Sequence, residues 1–233
     1  MQVKKWFTYS VIGPRFENED SFEIKELNDN NIIVCVADGV GGNSCGKEAS
    51  KFCVDKFIAE ATSQDLSKLI HKIDSELKGY SLRFENCSGM STTLTGCVIN
   101  SNVLYGIHVG DSRLCILRGN GIKQLTLMQN EAGRLLHQKK ITPEEAKDYP
   151  RKNILESAIG SRKLVIQDFS FKLEPKDRII LSTDGFHEHV SKQELRDFSK
   201  QYESVVEYGE ALVSLLADKK LNDNTTFVVL EIT

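Results

Sequence analysis

The sequence predicts an α+β fold, on three observations. Ile32, Ile33, Val34, Cys35, Val36 and Ala37 form an unbroken apolar run rich in β-branched residues, the pattern of a strand covered on both faces. Residues 91–99, 103–109, 114–118 and 122–125 read as four short strands in succession, separated by turn residues, which predicts an antiparallel meander. Between these two regions, apolar residues recur at helical spacing and predict a helical hairpin able to cover one face of a sheet.

The chain has 233 residues, 40% hydrophobic and 27% charged, enough for a core that needs no staples. No shift in composition divides it, so residues 1–233 are expected to form a single domain. The formal net charge is -3 with both signs interleaved, which favours neither nucleic acid nor an anionic membrane. Apolar runs are of strand length, and the segment from Met1 to Ser10 has no apolar centre, so neither a membrane span nor a leader is read and a cytoplasmic protein is expected. Cys35, Cys45, Cys53, Cys87, Cys97 and Cys115 include no C-x-x-C pair and are expected to be reduced packing residues.

Taken in order, residues 5–12 predict a first strand ended by Gly13-Pro14, and residues 21–27 a second. Ala49, Phe52, Cys53, Phe57 and Ala61 predict a helix starting near Ser44 to Lys47, and Leu66, Leu69, Ile70, Ile73, Leu77, Tyr80 and Phe84 a second. Residues 126–150 turn polar, with one short helix signalled by Thr142-Pro143-Glu144-Glu145, a capping box with proline in its first turn. So long a connection is expected to be functional, and residues 126–160 are taken as a flap-like insert. Strands follow at 165–171 and 178–182. Ser191 with Glu194 and Ser204 with Glu207 cap two helices, and a last strand runs over 226–232.

The acids recur at strand ends. Asp38 closes the apolar run and is followed by Gly39, Gly41 and Gly42; Asp184 closes the strand at 178–182 and is followed by Gly185. Asp223 precedes the last strand, and an antiparallel neighbour would bring its start to the same edge as the others' ends. A carboxylate at the end of a buried strand is costly without a positive partner, and several together raise one another's pKa. Divalent cations resolve both, and glycine lets a backbone carbonyl join as a ligand. Arg15-Phe16-Glu17-Asn18-Glu19-Asp20 adds candidate ligands and, in Arg15, a fork for phosphate. Asp111, between Gly110 and Ser112, reads equally well as a ligand or as an Asx turn.

Oxygen-only ligation selects magnesium or manganese. Two such ions about 3.5 to 4 Å apart can activate a shared water for in-line displacement at phosphorus. His187-Glu188-His189 lacks the spacing of a zinc helix and reads as a polar turn, and His108 as a satisfied core histidine.

Arg15 to Asp20, Asp38 to Gly42, Gly89-Met90-Ser91-Thr92-Thr93, Gly110 to Arg113, Ser182 to Gly185 and Asp223 to Thr226 together resemble the ordered motifs of the metal-dependent serine/threonine protein phosphatases of type 2C, in the short form of bacterial members. The resemblance implies a four-layer αββα sandwich, two antiparallel sheets flanked by helical pairs. It also implies hydrolysis of phosphoserine and phosphothreonine in proteins phosphorylated by a kinase, by a monomer holding two Mn2+ or Mg2+ and a weaker third metal. Asp38, Asp184 and Asp223 match the first metal site. Asp38, the Gly39 carbonyl and an acid of the Glu19-Asp20 pair match the second, Asp111 the third, and Arg15 the phosphate-binding arginine. Which of Glu19 and Asp20 faces the metal stays open. Val40 stands where some relatives carry a histidine proposed as general acid, and Leu127-Met128-Gln129-Asn130 replaces an Asp-His at the flap's lip. That altered lip motivates an alternative, a non-catalytic sensor or scaffold binding a kinase or other partner.

Overall fold

The computed structural model describes residues 3–28, 31–40, 45–83 and 85–233. Gly41, Gly42, Ser44, Phe84 and Met1, used above in reading the glycine turn, the first helix start, the second stripe and the leader, lie outside the described residues. In chain order the strands are β1 (Val3–Val11), β2 (Asp20–Asn28), β3 (Asn31–Val40), β4 (Ser91–Thr92), β5 (Leu94–Asn100), β6 (Val103–Val109), β7 (Arg113–Arg118), β8 (Gly121–Gln124), β9 (Gln167–Lys172), β10 (Arg178–Ser182) and β11 (Thr225–Ile232). The helices are α1 (Gly46–Glu60), α2 (Leu66–Ser81), α3 (Glu131–His137), α4 (Pro143–Lys147), α5 (Asp184–His187), α6 (Lys192–Gln201) and α7 (Val205–Ala217). One antiparallel sheet has the order β1-β11-β10-β7-β8, and the other β2-β3-β5-β6-β9 with β4 paired to the end of β3.

Three apolar layers hold four layers of structure together. β3 shows why its sequence is unbroken. Ile32, Val34 and Val36 pack between the sheets with Ile179, Leu181, Val228 and Leu230, while Ile33, Cys35 and Ala37 pack beneath α1 and α2 with Phe57, Ile70 and Leu77. On the far side Tyr208 and Leu212 of α7 cover Val229 and Phe227. This is the α+β sandwich that the ordered motifs imply. Of the three capping pairs expected after residue 140, Thr142 with Glu145 and Ser191 with Glu194 form reciprocal boxes, while Ser204 caps α7 through its hydroxyl alone, accepting from the Val206 and Glu207 amides.

Three expectations are corrected. The meander is split between the sheets: β6 pairs with β9, and β7 crosses to lie between β10 and β8. The crossing is made at Gly110, whose φ of +107° disfavours any L side chain and whose Cβ would overlap Thr93. Ser112 Oγ and Thr93 Oγ1, 2.9 Å apart, then tie the two sheets at the crossing. Second, Cys45 and Cys87 are disulfide-bonded, with Cα atoms 5.4 Å apart, where all six cysteines were expected to be reduced. The pair joins the start of α1 to the short turn Glu85–Cys87, a contact across 42 residues that no local spacing signals. Cys35, Cys53, Cys97 and Cys115 are free and buried as expected. Third, His187 is buried within α5 rather than set in a polar turn, its Nδ1 3.3 Å from Ser182 Oγ.

His108 is the satisfied core histidine the strand pattern suggests. Its Nδ1 lies 2.7 Å from Thr95 Oγ1 and its Nε2 2.9 Å from the Leu127 carbonyl, so it anchors the start of the 126–160 insert. Among the described residues no helix is long and apolar enough to cross a membrane.

Burial lowers the His108 pKa from 6.5 to about 4. The unfolded chain then binds more protons between these values, so this histidine's contribution to stability is present above about pH 6.5 and lost as pH falls towards 4. Urea midpoints from neutral to acid pH should show His108→Gln with a shallower acid loss than the wild type, by up to about 1.4 kcal/mol per pH unit.

Candidate metal centre

The antiparallel pairing of β10 with β11, in which Ser182 faces Phe227, brings the end of one strand beside the start of the other and so sets Asp184 and Asp223 at one edge. β2 and β3 pair with Asp20 opposite Asp38. Thr183 connects the two sheets: its Oγ1 donates to Asp20 Oδ2 at 2.8 Å and accepts from the Thr226 amide at 3.1 Å. Asp38, Asp20, Asp184 and Asp223 thus meet at a common edge although they come from segments spread over the chain. Asp111 enters from the β6–β7 crossing, where Asn130 Nδ2 donates to its Oδ2 at 3.1 Å.

The backbone around Asp38 is fully engaged. Its amide donates to Thr93 Oγ1 at 2.9 Å, and its carbonyl accepts from Thr92 Oγ1 at 2.8 Å and the Thr93 amide at 2.9 Å. The Gly39 amide donates to the Glu19 carbonyl at 3.1 Å. A Cβ on Gly39 would overlap the Gly46 backbone, and one on Gly46 would run into the Glu19 carboxylate, so only glycines let α1 approach the end of β3 this closely. The Gly46 approach also places Glu19 beside α1, while Asp20 is buried and turns into the acid cluster.

Electrostatics register the crowding. Burial and then Asp20, Asp184, Asp111 and Asp223 push the Asp38 carboxyl well above its ordinary value. Burial, Asp111 and Asp223 raise Asp184 to about 8, and burial, opposed by two threonine hydroxyls, raises Asp20 to about 7. Asp111 rises to about 6 through burial, with Asn130 and Arg113 acting against it. Arg15 is half exposed and holds Asp223 Oδ2 from its Nη2 at 2.6 Å, which raises the guanidinium further.

No group of three acid, histidine or cysteine side chains among the described residues has ready ligand spacing. The donor set nevertheless fits a hard cation on one direct observation: Asp20 Oδ1 is buried and without a hydrogen-bond partner. A bare buried carboxylate oxygen is costly, and beside three further acids a divalent ion is what satisfies it.

Sequence reasoning missed several positioning groups. Asn224 is buried, accepts the Glu19 amide at 2.9 Å, and donates to the carbonyls of Ile12 and Glu17 at 2.8 and 2.9 Å, so one side chain holds the loop that carries Arg15. Thr183 and Thr93 bridge the sheets. All three fall inside the motifs quoted above, but a short polar side chain in such a motif does not show which distant backbone it holds. The insert is pinned at both ends: Gly110 and Gln129 exchange hydrogen bonds of 2.8 and 2.9 Å, and Thr92 pairs with Ile159 at 2.9 and 3.0 Å. Lys152 reaches Glu188 at 3.0 Å just beyond α5.

Two sheets meet at an acid-lined edge with an arginine at its rim, a candidate metal centre, and comparison with known proteins gives the chain a family. Residues 12–224 match the family model described as Protein phosphatase 2C, and the chain belongs to that family. It is 30% identical over 230 residues to a serine/threonine phosphatase stp of Listeria welshimeri, covering 93% of this chain and 91% of that protein. The crystal structure of serine/threonine phosphatase Stp1 from Staphylococcus aureus superposes with a TM-score of 0.90 at 26% identity, covering 100% of this chain and 96% of that one. The catalytic domain of serine/threonine protein phosphatase PstP, crystallised with two manganese ions, superposes at 0.83 with 25% identity over 98% of each chain.

Because folding raises the carboxyl pKa values of Asp20 and Asp184 from 3.8 to about 7 and 8, the metal-free fold loses stability as pH rises through that window. Manganese should therefore raise the melting temperature more at about pH 8 than at about pH 5.5, where protons compete for the same oxygens. Thermal melts of metal-stripped protein with and without Mn2+ check this; equal gains at both values would speak against the acids as ligands.

Proposed function

We propose that the protein hydrolyses phosphoserine and phosphothreonine monoesters on proteins phosphorylated by a serine/threonine kinase. The observation that carries this reading is the bare, buried Asp20 Oδ1 among Asp38, Asp184 and Asp223, beside a half-exposed arginine paired with Asp223 at the rim. Asp38, Asp184 and Asp223 would hold one Mn2+ or Mg2+; Asp38, the Gly39 carbonyl and Asp20, directly or through water, a second; Asp111 a weaker third. Of the Glu19-Asp20 pair, the burial and orientation of Asp20 favour it as the metal-facing acid. Bound there, such ions supply an acidified water as nucleophile and neutralise the phosphoryl charge.

The chain's own side chains do the rest. Arg15, released from Asp223, forks onto two non-bridging phosphate oxygens and orients the ester. Asn224 keeps that arginine's loop in place. Val40 offers no proton to the departing alkoxide, so protonation must come from solvent or from another group at the rim. Residues 126–160 act as the flap against which the phosphoprotein rests. We read residues 1–233 as one catalytic domain acting as a monomer in the cytoplasm; the single family match over residues 12–224 supports the one-domain reading.

Phosphate release from phosphoseryl and phosphothreonyl peptides should require Mn2+ or Mg2+. Asp38→Ala and Asp184→Ala should abolish it, and Arg15→Ala should lower kcat/KM by about 10²-fold. Malachite-green phosphate assays test all three, and undiminished turnover in EDTA would overturn the assignment.

A further inference from the structure

The Cys45–Cys87 disulfide joins the two segments that bracket Asp38 and Gly39. On one side, Cys45 is the N-cap of α1, and its neighbour Gly46 lies directly against Gly39. On the other, the Cys87 carbonyl accepts from the Met90 amide at 3.0 Å, and buried Met90 leads straight into β4. In β4, Ser91 and Thr92 pair with Val40 and Gly39, and the Thr92 hydroxyl with the Thr93 amide holds the Asp38 carbonyl. The covalent bridge therefore runs from the α1 side of Asp38 and Gly39 at the end of β3 to their β4 side.

The other cysteines offer nothing comparable. Cys35, Cys53, Cys97 and Cys115 are buried in the apolar layers, which keeps their thiols protonated and inert. Cys87 is partly exposed and Cys45 is buried, so a thiolate from solution approaches the bridge from the Cys87 side. In a compartment where thiols are kept reduced, disulfides are uncommon and those that form are usually catalytic or redox-sensing.

We propose that Cys45 and Cys87 form a redox latch on the metal centre: oxidised, the pair holds α1 and β4 against Asp38 and Gly39; reduced, it lets them part and weakens the hold on divalent cations. The inference rests on the metal reading given under Proposed function. The chemistry is thiol–disulfide exchange with a dithiol reductant of the thioredoxin class. Its first thiolate attacks the Cys87 sulfur, the Cys45 thiolate leaves and takes up a proton, and the reductant's second thiol resolves the mixed disulfide. Two electrons and two protons pass to the cysteine pair, and the reductant departs as its own disulfide.

The test uses the full chain, oxidised in air or reduced with dithiothreitol and desalted without oxygen, with Mn2+ titrated in and the unbound ion read by electron paramagnetic resonance. Reduction should raise the Mn2+ Kd about tenfold, the scale of losing support around a metal ligand. Cys45→Ser and Cys87→Ser should each bind like the reduced protein whether or not reductant is added, while Cys53→Ser should keep the full response. Thiol titration of the unfolded chain should find four thiols in the oxidised sample, matching the four free cysteines. Six thiols in that sample, an unchanged Kd, or loss of the folded circular dichroism spectrum on reduction would each overturn the latch. Equal Mn2+ uptake in both states would sink the latch alone; no uptake in either would sink the metal reading with it.

Discussion

Mutual repulsion among the carboxylates of Asp38, Asp20, Asp184 and Asp223 is the constraint around which this end of the molecule is built. Left to local preference, four acids would turn to water and away from one another. Asp38, Asp184 and Asp223 are held facing inward because each lies at or within two residues of the end or start of β3, β10 or β11, whose residues are almost all buried, while Asp20 opens the more exposed β2 and is placed by its pairing opposite Asp38. Short polar side chains then lock the ends: Thr183 to Asp20, Thr93 to the Asp38 amide, Asn224 to three backbone groups of the neighbouring loop. The apolar layers supply the rigidity, and the edge carries the cost of burying like charges together.

The same logic explains why β3 differs from its neighbours. A sheet strand facing solvent on one side would alternate, but β3 lies between helices and a second sheet, so six successive residues are apolar and the first polar residue marks the strand's exit from the core. A buried run that ends in Asp-Gly is therefore a statement about where the sandwich stops. β10 ends at Ser182, two residues before Asp184 opens α5, and the antiparallel β11 begins there just after Asp223. Edge position follows from pairing direction, without any contact between the acids being encoded locally.

That distinction sets what could be read from sequence. Features written in consecutive residues were legible: the double-sided burial of β3, the helical stripes of α1 and α2, and the boxes at Thr142 and Ser191, in which the paired glutamate stands three residues on. Features that depend on a distant partner were not. Four strands in succession suggest a meander, yet β6 finds β9 and β7 finds β10, because Gly110 turns the chain out of one sheet and into the other. Cys45 and Cys87 meet only because α1 and α2 fold back into a hairpin. α3 was missed for a subtler reason: its cap is Asn130, whose Oδ1 accepts from the Gly133 amide at 2.8 Å, and the stretch before it reads as polar loop. The acids were singled out by recurrence and family likeness, whereas Asn224 and Thr183 lie in the same motifs without any local sign of the distant groups they hold.

Asn130 also bears on the departure at the lip of the insert. The residues at 127–130 differ from the Asp-His pattern of the family, and such a change next to Asp111 could leave that acid buried and unsupported. Instead one amide side chain serves twice: its oxygen caps α3 and its nitrogen donates to Asp111, opposing the rise that burial imposes. Gln129 meanwhile exchanges hydrogen bonds with Gly110, fixing the same corner from the other side. The substituted segment therefore supports the acid edge from within while presenting different side chains outward, such as exposed Leu127. A change that keeps the inner hydrogen bonds and alters the outer surface acts on what leans against the insert, and leaves the carboxylates where the two sheets put them.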